Sequence, residues 1–172
     1  MKIETVAFLY TLPELYAVIR LTGGTGVPGF SQEESDFQSG LEELERNMLL
    51  NRSENTAILD RVTAFLGQTV GCSRRYICLT ATDSYVGMFY NEDVTVLLRL
   101  QQGRWVLTPY QESGPAEAEL EELLQIQNLP LELLLCRQGE QHHQILFQRE
   151  VLPELLHRGV RWILDNTAWE EA

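Results

Sequence analysis

The sequence predicts an α+β fold in a single domain: a helical N-terminal unit over residues 1–70, a central antiparallel β-meander over 71–112, and a C-terminal part over 113–172 made of a helix, a short hairpin and a final helix. Three observations predict it. Apolar residues recur at spacings of three and four through much of the first 66 residues, the mark of helices with one buried side. Four runs rich in β-branched and aromatic residues follow between residues 75 and 110, and connections of two or three residues force them to be antiparallel neighbours. An Ala-, Glu- and Leu-rich run from Ala116 then restores helical composition.

Taken in order, Val6, Leu9, Tyr10, Pro13, Tyr16, Ala17 and Arg20 fall at helical spacing, and Pro13 starts or kinks a helix that runs to about Leu21. Residues 22–29 hold four glycines and a proline, so an irregular loop ends that helix. The glycines tempt a phosphate-loop reading. No lysine and hydroxyl follow the last of them, however, and Val27-Pro28 interrupts any helix start, so a plain loop is expected. Ser31 and Ser39, each followed by acids, are N-cap residues for two short helices, the second burying Leu41, Leu44, Met48 and Leu49. After a break at 51–53, Ala57, Ile58, Val62, Phe65 and Leu66 line a third helix over about 54–66, closed by Gly67.

The four strands are expected at 75–82, 85–91, 94–100 and 104–110, with a glycine at the turn of 101–103 where a hairpin needs positive φ. In the third, Val94, Val96, Leu98 and Leu100 alternate with Thr95, Leu97 and Arg99, so one face is wholly apolar and needs a cover of helices. Ser113-Gly114-Pro115 separates the meander from a helix whose Glu117, Glu119, Glu121 and Glu122 read as a solvated acidic face. Residues 131–137 and 144–148 flank Gln138-Gly139-Glu140 as a further hairpin. The last helix, about 152–165, would bury Leu152, Leu156, Val160, Ile163 and Leu164, leaving 169–172 as a mobile tail.

Charge narrows the function. Of 172 residues 44% are hydrophobic and 22% charged, a balance that sustains one core. Twenty-five acids against thirteen bases give −12, of which −8 falls on residues 111–172, and this field repels phosphate backbones and anionic membranes. No apolar run reaches the roughly 20 residues of a membrane span, and the N-terminus lacks a signal-peptide core, so a cytoplasmic protein is expected.

Reactive groups are sparse. Cys72, Cys78 and Cys136 match neither a disulfide framework nor a zinc motif and read as reduced, packed thiols. His142-His143 sits beside the 138–141 turn, where adjacent extended residues point to opposite faces, so both read as exposed turn residues; His157 reads as a surface residue of the last helix. The doublets Glu33-Glu34, Glu42-Glu43 and Glu121-Glu122 diverge on helices and cannot share acid–base work. Arg74-Arg75 is the one basic doublet, a weak nucleic-acid patch. No catalytic, cofactor-binding or metal-ligating residue, and no cofactor, is therefore expected. The meander, by contrast, carries large groups on both sides: Tyr85 and Phe89 on one, Met88 and Tyr90 on the other, with Trp105 nearby. These five are the expected partner-binding residues.

Three short helices followed by strands make the N-terminal unit winged-helix-like. With Gly40-Leu41-Glu42-Glu43-Leu44, the expected helix ending at Leu66, and the meander closing on Val106-Leu107-Thr108-Pro109, residues 4–125 resemble one half of the EspG-type chaperones of bacterial type VII secretion. The resemblance implies a cytosolic, non-enzymatic chaperone that holds a helical secretion substrate, without nucleic acid or membrane. Family members have two similar halves, so a homodimer would replace the second one here. The competing expectations are a winged-helix nucleic-acid binder, which the single Arg61 in residues 54–66 argues against, and a small-molecule enzyme or ligand-binding domain.

Overall fold

A computed structural model describes residues 6–81, 84–126 and 131–146. Its centre is a seven-stranded antiparallel sheet. Strands β1 (Phe8–Tyr10), β4 (Tyr76–Ala81), β5 (Ser84–Tyr90), β6 (Thr95–Gln101), β7 (Arg104–Tyr110), β8 (Leu131–Arg137) and β9 (Glu140–Leu146) lie in the order β1-β7-β6-β5-β4-β8-β9. The meander β4–β7 is the middle of the sheet. The first strand adds to one side, through Leu9 opposite Val106, and the β8–β9 hairpin to the other, through Tyr76 opposite Cys136. Both the β6–β7 and β8–β9 turns place two successive residues at positive φ, Gln102-Gly103 and Gln138-Gly139, the backbone that twists a two-residue hairpin correctly.

Helices cover both faces of the sheet. Helices α1 (Leu12–Leu21) and α3 (Arg61–Cys72) lie over the face carrying Tyr76, Tyr85, Phe89, Val96, Leu98 and Trp105. Helix α4 (Ser113–Ile126) lies over the opposite face, where Ala116 and Leu120 meet Ile77, Met88 and Leu97. Strand alternation sends apolar residues both ways, which is why a cover on one face alone does not suffice. Helix α2 (Glu34–Arg46) forms an outer layer on α1, sharing a third cluster around Ala17, Val18, Leu41, Leu44 and Leu50. Among the described residues, no helix is long and apolar enough to cross a membrane.

The α1–α2–α3 packing depends on missing side chains. A Cβ on Gly40 would stand 1.9 Å from the Pro13 carbonyl oxygen, and one on Gly67 would stand 2.2 Å from Val18 Cγ1. Bare glycine surfaces let the backbones approach more closely than any larger residue allows. A partly buried polar clamp fixes the same junction. Thr11 and Glu14 cap α1 reciprocally, Asn47 Nδ2 donates to Glu14 Oε2 at 3.1 Å, and the Thr11 hydroxyl donates to Glu43 at 2.5 Å.

Several expectations are corrected. The two short helices expected between 31 and 50 are one helix, α2, with its N-cap at Glu33. The helix expected over 54–66 is instead a two-stranded ribbon, β2 (Leu50–Arg52) with β3 (Ala57–Leu59), followed by α3. The reason is Asp60: its carboxylate accepts from Thr63 N at 3.0 Å and starts α3 there, and Gly67 is an interior packing position rather than a stop. The acids of α4 are not merely solvated, since Glu117 accepts from the Tyr90 hydroxyl at 3.0 Å and Glu119 from Arg99 at 2.9 Å. The second strand of the last hairpin begins at Glu140, so His142 and His143 belong to a strand and not to a turn. The helix expected at 152–165, with His157, and the tail at 169–172 lie outside the described residues.

Candidate partner-binding surface

The five residues singled out on the meander are placed inside the molecule. Tyr85, Met88, Phe89 and Trp105 are buried, and Tyr90 is half-buried with the Arg75 guanidinium 4.6 Å from its ring centre. Alternation puts Tyr85 and Phe89 under α1 and α3, and Met88 and Tyr90 under α4, so the chain's own helices take up the area. Tyr85 packs edge-on against Trp105 at 5.1 Å, and Trp105 in turn against Phe30 at 5.2 Å, an aromatic stack that joins sheet and loop. In this fold those five side chains supply core.

Reactive chemistry is suppressed in the same interior. Burial pushes the Cys78 thiol up to about 12, outweighing the Tyr85 hydroxyl that lies 3.1 Å from its sulfur. Burial likewise raises Cys136 and, well above its ordinary range, Tyr85. At neutral pH these are protonated thiols and a neutral phenol, not activated nucleophiles. Among the described residues, no three of His, Cys, Asp and Glu are grouped to hold a metal ion.

The glycine loop borders a cleft of about 510 Å³ whose walls include Gly26, Gln32, Ser73, Tyr76, Cys136 and Gln141. Its polar groups bond to the chain itself. Gln32 accepts from Val27 N at 3.2 Å, the Tyr85 hydroxyl donates to the Pro28 carbonyl at 2.6 Å, and Gln141 donates to the Tyr76 hydroxyl. Among the described residues no lysine or arginine lines this cleft, so a phosphate would find no cation among them. The loop packs on the sheet through Pro28 and Phe30.

The surface that departs from a solvated exterior lies elsewhere. Met48, Ile58, Val62 and Phe65 are 90%, 65%, 46% and 40% exposed. They lie along one stretch of backbone, from the end of α2 through the β2–β3 ribbon to the outer side of α3. Met48 closes α2: its N–H bonds the Glu45 carbonyl at 3.1 Å, and Leu49 N bonds the Leu44 carbonyl at 2.9 Å. That double closure puts Met48 at φ +59°, a position glycine normally fills. The ribbon turns Leu50 and Leu59 inward and Ile58, opposite Asn51, outward. The Asp60 N–H bonds the Leu49 carbonyl at 2.7 Å, so ribbon and α3 are continuous. Exposed Arg46, Arg52 and Arg61 belong to the same stretch of chain, Arg52 paired with Glu45, and residues 46–65 carry three arginines against Glu54 and Asp60.

Sequence periodicity assigns Met48, Val62 and Phe65 to buried stripes. It misleads because α3 meets α1 through Gly67 and Gly71 and buries Leu66 and Val70, a phase that leaves Val62 and Phe65 outside. The signal available was Asp60-Arg61-Val62-Thr63, an N-cap that sets the phase of the following helix. Compared with known families and curated proteins, the chain matches no family model and no curated sequence.

Proposed function

We propose that this chain is a non-enzymatic protein-binding chaperone or adaptor that docks a helical partner on the Met48–Ile58–Val62–Phe65 surface. One observation carries the reading. A large apolar side chain held at positive φ and almost fully exposed bears two separate costs, strain and hydration, and contact with a partner would offset the second. The arginines of that stretch suit a partner with acidic flanks, although the chain as a whole is acidic. A secreted helical substrate of a type VII-like system, kept soluble until export, is the partner class that the sequence resemblance implies.

The test compares wild type with an Ile58→Ser/Phe65→Ser variant, both shown folded by circular dichroism. Each is used to recover partners from the native host, and each recovered protein is then checked as a purified pair. Binding to a defined helical protein should weaken by on the order of a hundredfold, the loss of two apolar anchors of about 1.5 kcal/mol each. Equal binding by wild type and variant, or turnover of a small molecule with no protein partner, would reject the proposal.

A further inference from the structure

We propose that Met48 is a site of reversible oxidation: hydrogen peroxide converts its thioether to the sulfoxide while the chain stays folded, and the added oxygen lowers the affinity of the Met48–Ile58–Val62–Phe65 surface for apolar groups. The modification stands on the exposure and anchoring of Met48 alone, and its effect on a protein partner rests on the function proposed above. The fold treats Met48 and Met88 in opposite ways. Met88 has none of its surface exposed and lies between the sheet and α4 with Ile77, Leu97 and Leu120. Met48 is 90% exposed, so the protein shields little of its thioether. Oxidation of sulfur follows access, and a dissolved oxidant meets the second methionine and not the first.

The backbone beneath Met48 is anchored on both sides. Asn47 is tied to the buried Glu14 carboxylate at 3.1 Å, the Leu49 N–H to the Leu44 carbonyl at 2.9 Å, and Leu50 is packed inside. Between these anchors the side chain stands in water, so an oxygen added to its sulfur displaces no neighbour and the fold survives. On Met88 the same oxygen would be buried among apolar groups, a burial that costs stability unless a donor reaches it. The step itself is simple. The sulfur lone pair attacks one peroxide oxygen, the S–O bond forms as the O–O bond breaks, and the departing hydroxide takes up the proton and leaves as water. Sulfur loses two electrons and the peroxide gains them. A thiol-dependent methionine sulfoxide reductase reverses the change, the oxygen leaving as water while two thiols become a disulfide. The sulfoxide is polar and must shed water to enter an apolar contact, which opposes the docking that the thioether favours.

The full chain treated with hydrogen peroxide, quenched and mapped by peptide mass spectrometry tests this, with retention on a phenyl resin as the readout of the surface. Sulfoxide should accumulate at Met48 on the order of ten times faster than at Met88, with an unchanged circular dichroism spectrum and urea midpoint. The oxidised chain should leave the resin earlier, and the reductase should restore both mass and retention. Exposed Cys72 also meets the oxidant, so Met48→Leu is the control: it keeps the apolar volume without an oxidisable sulfur, and its retention should not respond to peroxide. A protein partner that the Ile58→Ser/Phe65→Ser variant fails to hold should bind the sulfoxide form on the order of tenfold more weakly. Equal rates at Met48 and Met88 would overturn the proposal. So would unfolding on oxidation of Met48, or a retention shift as large in Met48→Leu as in the wild type. The mapping and the resin need no partner, so failure of the chaperone or adaptor reading and failure of this site are separable.

Discussion

Met48 shows how much a single backbone position can say. An L-residue at φ +59° carries a penalty of about 1 kcal/mol that glycine escapes, and the Met48 side chain, 90% exposed, recovers little of it through packing. Met48→Gly should therefore raise stability by about 0.5–1 kcal/mol, read as a higher urea midpoint at unchanged slope. The same substitution should weaken binding of any partner seated on the α3 surface. A variant that is more stable and binds equally well would show that the methionine contributes nothing to recognition. The opposing signs separate a residue kept for contact from one kept for folding.

The elements of the chain were unevenly legible from sequence. The four meander strands stand within about a residue of their expected limits, because β-branched runs and hairpin turns are local signals that tertiary packing reinforced. The ribbon and the phase of α3 were not legible, because their logic is nonlocal: Gly67 and Gly71 face Val18 and Ile19 of a helix some fifty residues earlier. The meander's aromatics, expected to leave some apolar surface for a partner, are covered by the chain itself for a related reason. Two apolar faces on one sheet imply either a partner or a second layer, and α4, read only as an acidic helix, is that layer. Helix packing supplies its own test. Gly67→Ala places a methyl 2.2 Å from Val18 Cγ1, and Gly40→Ala places one 1.9 Å from a carbonyl oxygen. Each should cost about 1–3 kcal/mol by forcing α1 away from its neighbour. Gly114→Ala, in α4 with nothing within 4 Å of its added methyl, should be neutral or stabilising by up to about 1 kcal/mol. Equal urea midpoints for all three would mean that the three-helix contact is looser than its geometry implies.

At the scale of the whole molecule, the buried titratable groups tie stability to alkaline pH. Cys78 is pushed by burial from its ordinary 9.0 up to about 12, and Cys136 is raised from the same 9.0. A thiol that holds its proton longer in the folded chain than in the unfolded one contributes stability that is complete below the unfolded value. As pH climbs above 9.0, the unfolded chain releases protons that the folded chain retains, so the unfolded state is favoured until the folded value near 12 is passed. Each such thiol steepens the decline by at most about 1.4 kcal/mol per pH unit. Between pH 9 and 10 the effect belongs mainly to cysteine, because the tyrosines start from an ordinary 10.0 and those that burial raises, Tyr10, Tyr76, Tyr85 and Tyr110, join above it. Cys78→Val keeps an apolar group of similar size on β4 and removes one titration. The variant should start less stable at pH 7, having left the Tyr85 hydroxyl with only the Pro28 carbonyl, and should lose stability less steeply as pH rises. Urea midpoints measured from pH 7 to 10.5 for both proteins check the slope. Parallel curves would show that Cys78 titrates alike in the folded and unfolded chain, and that water reaches the space between sheet and α3.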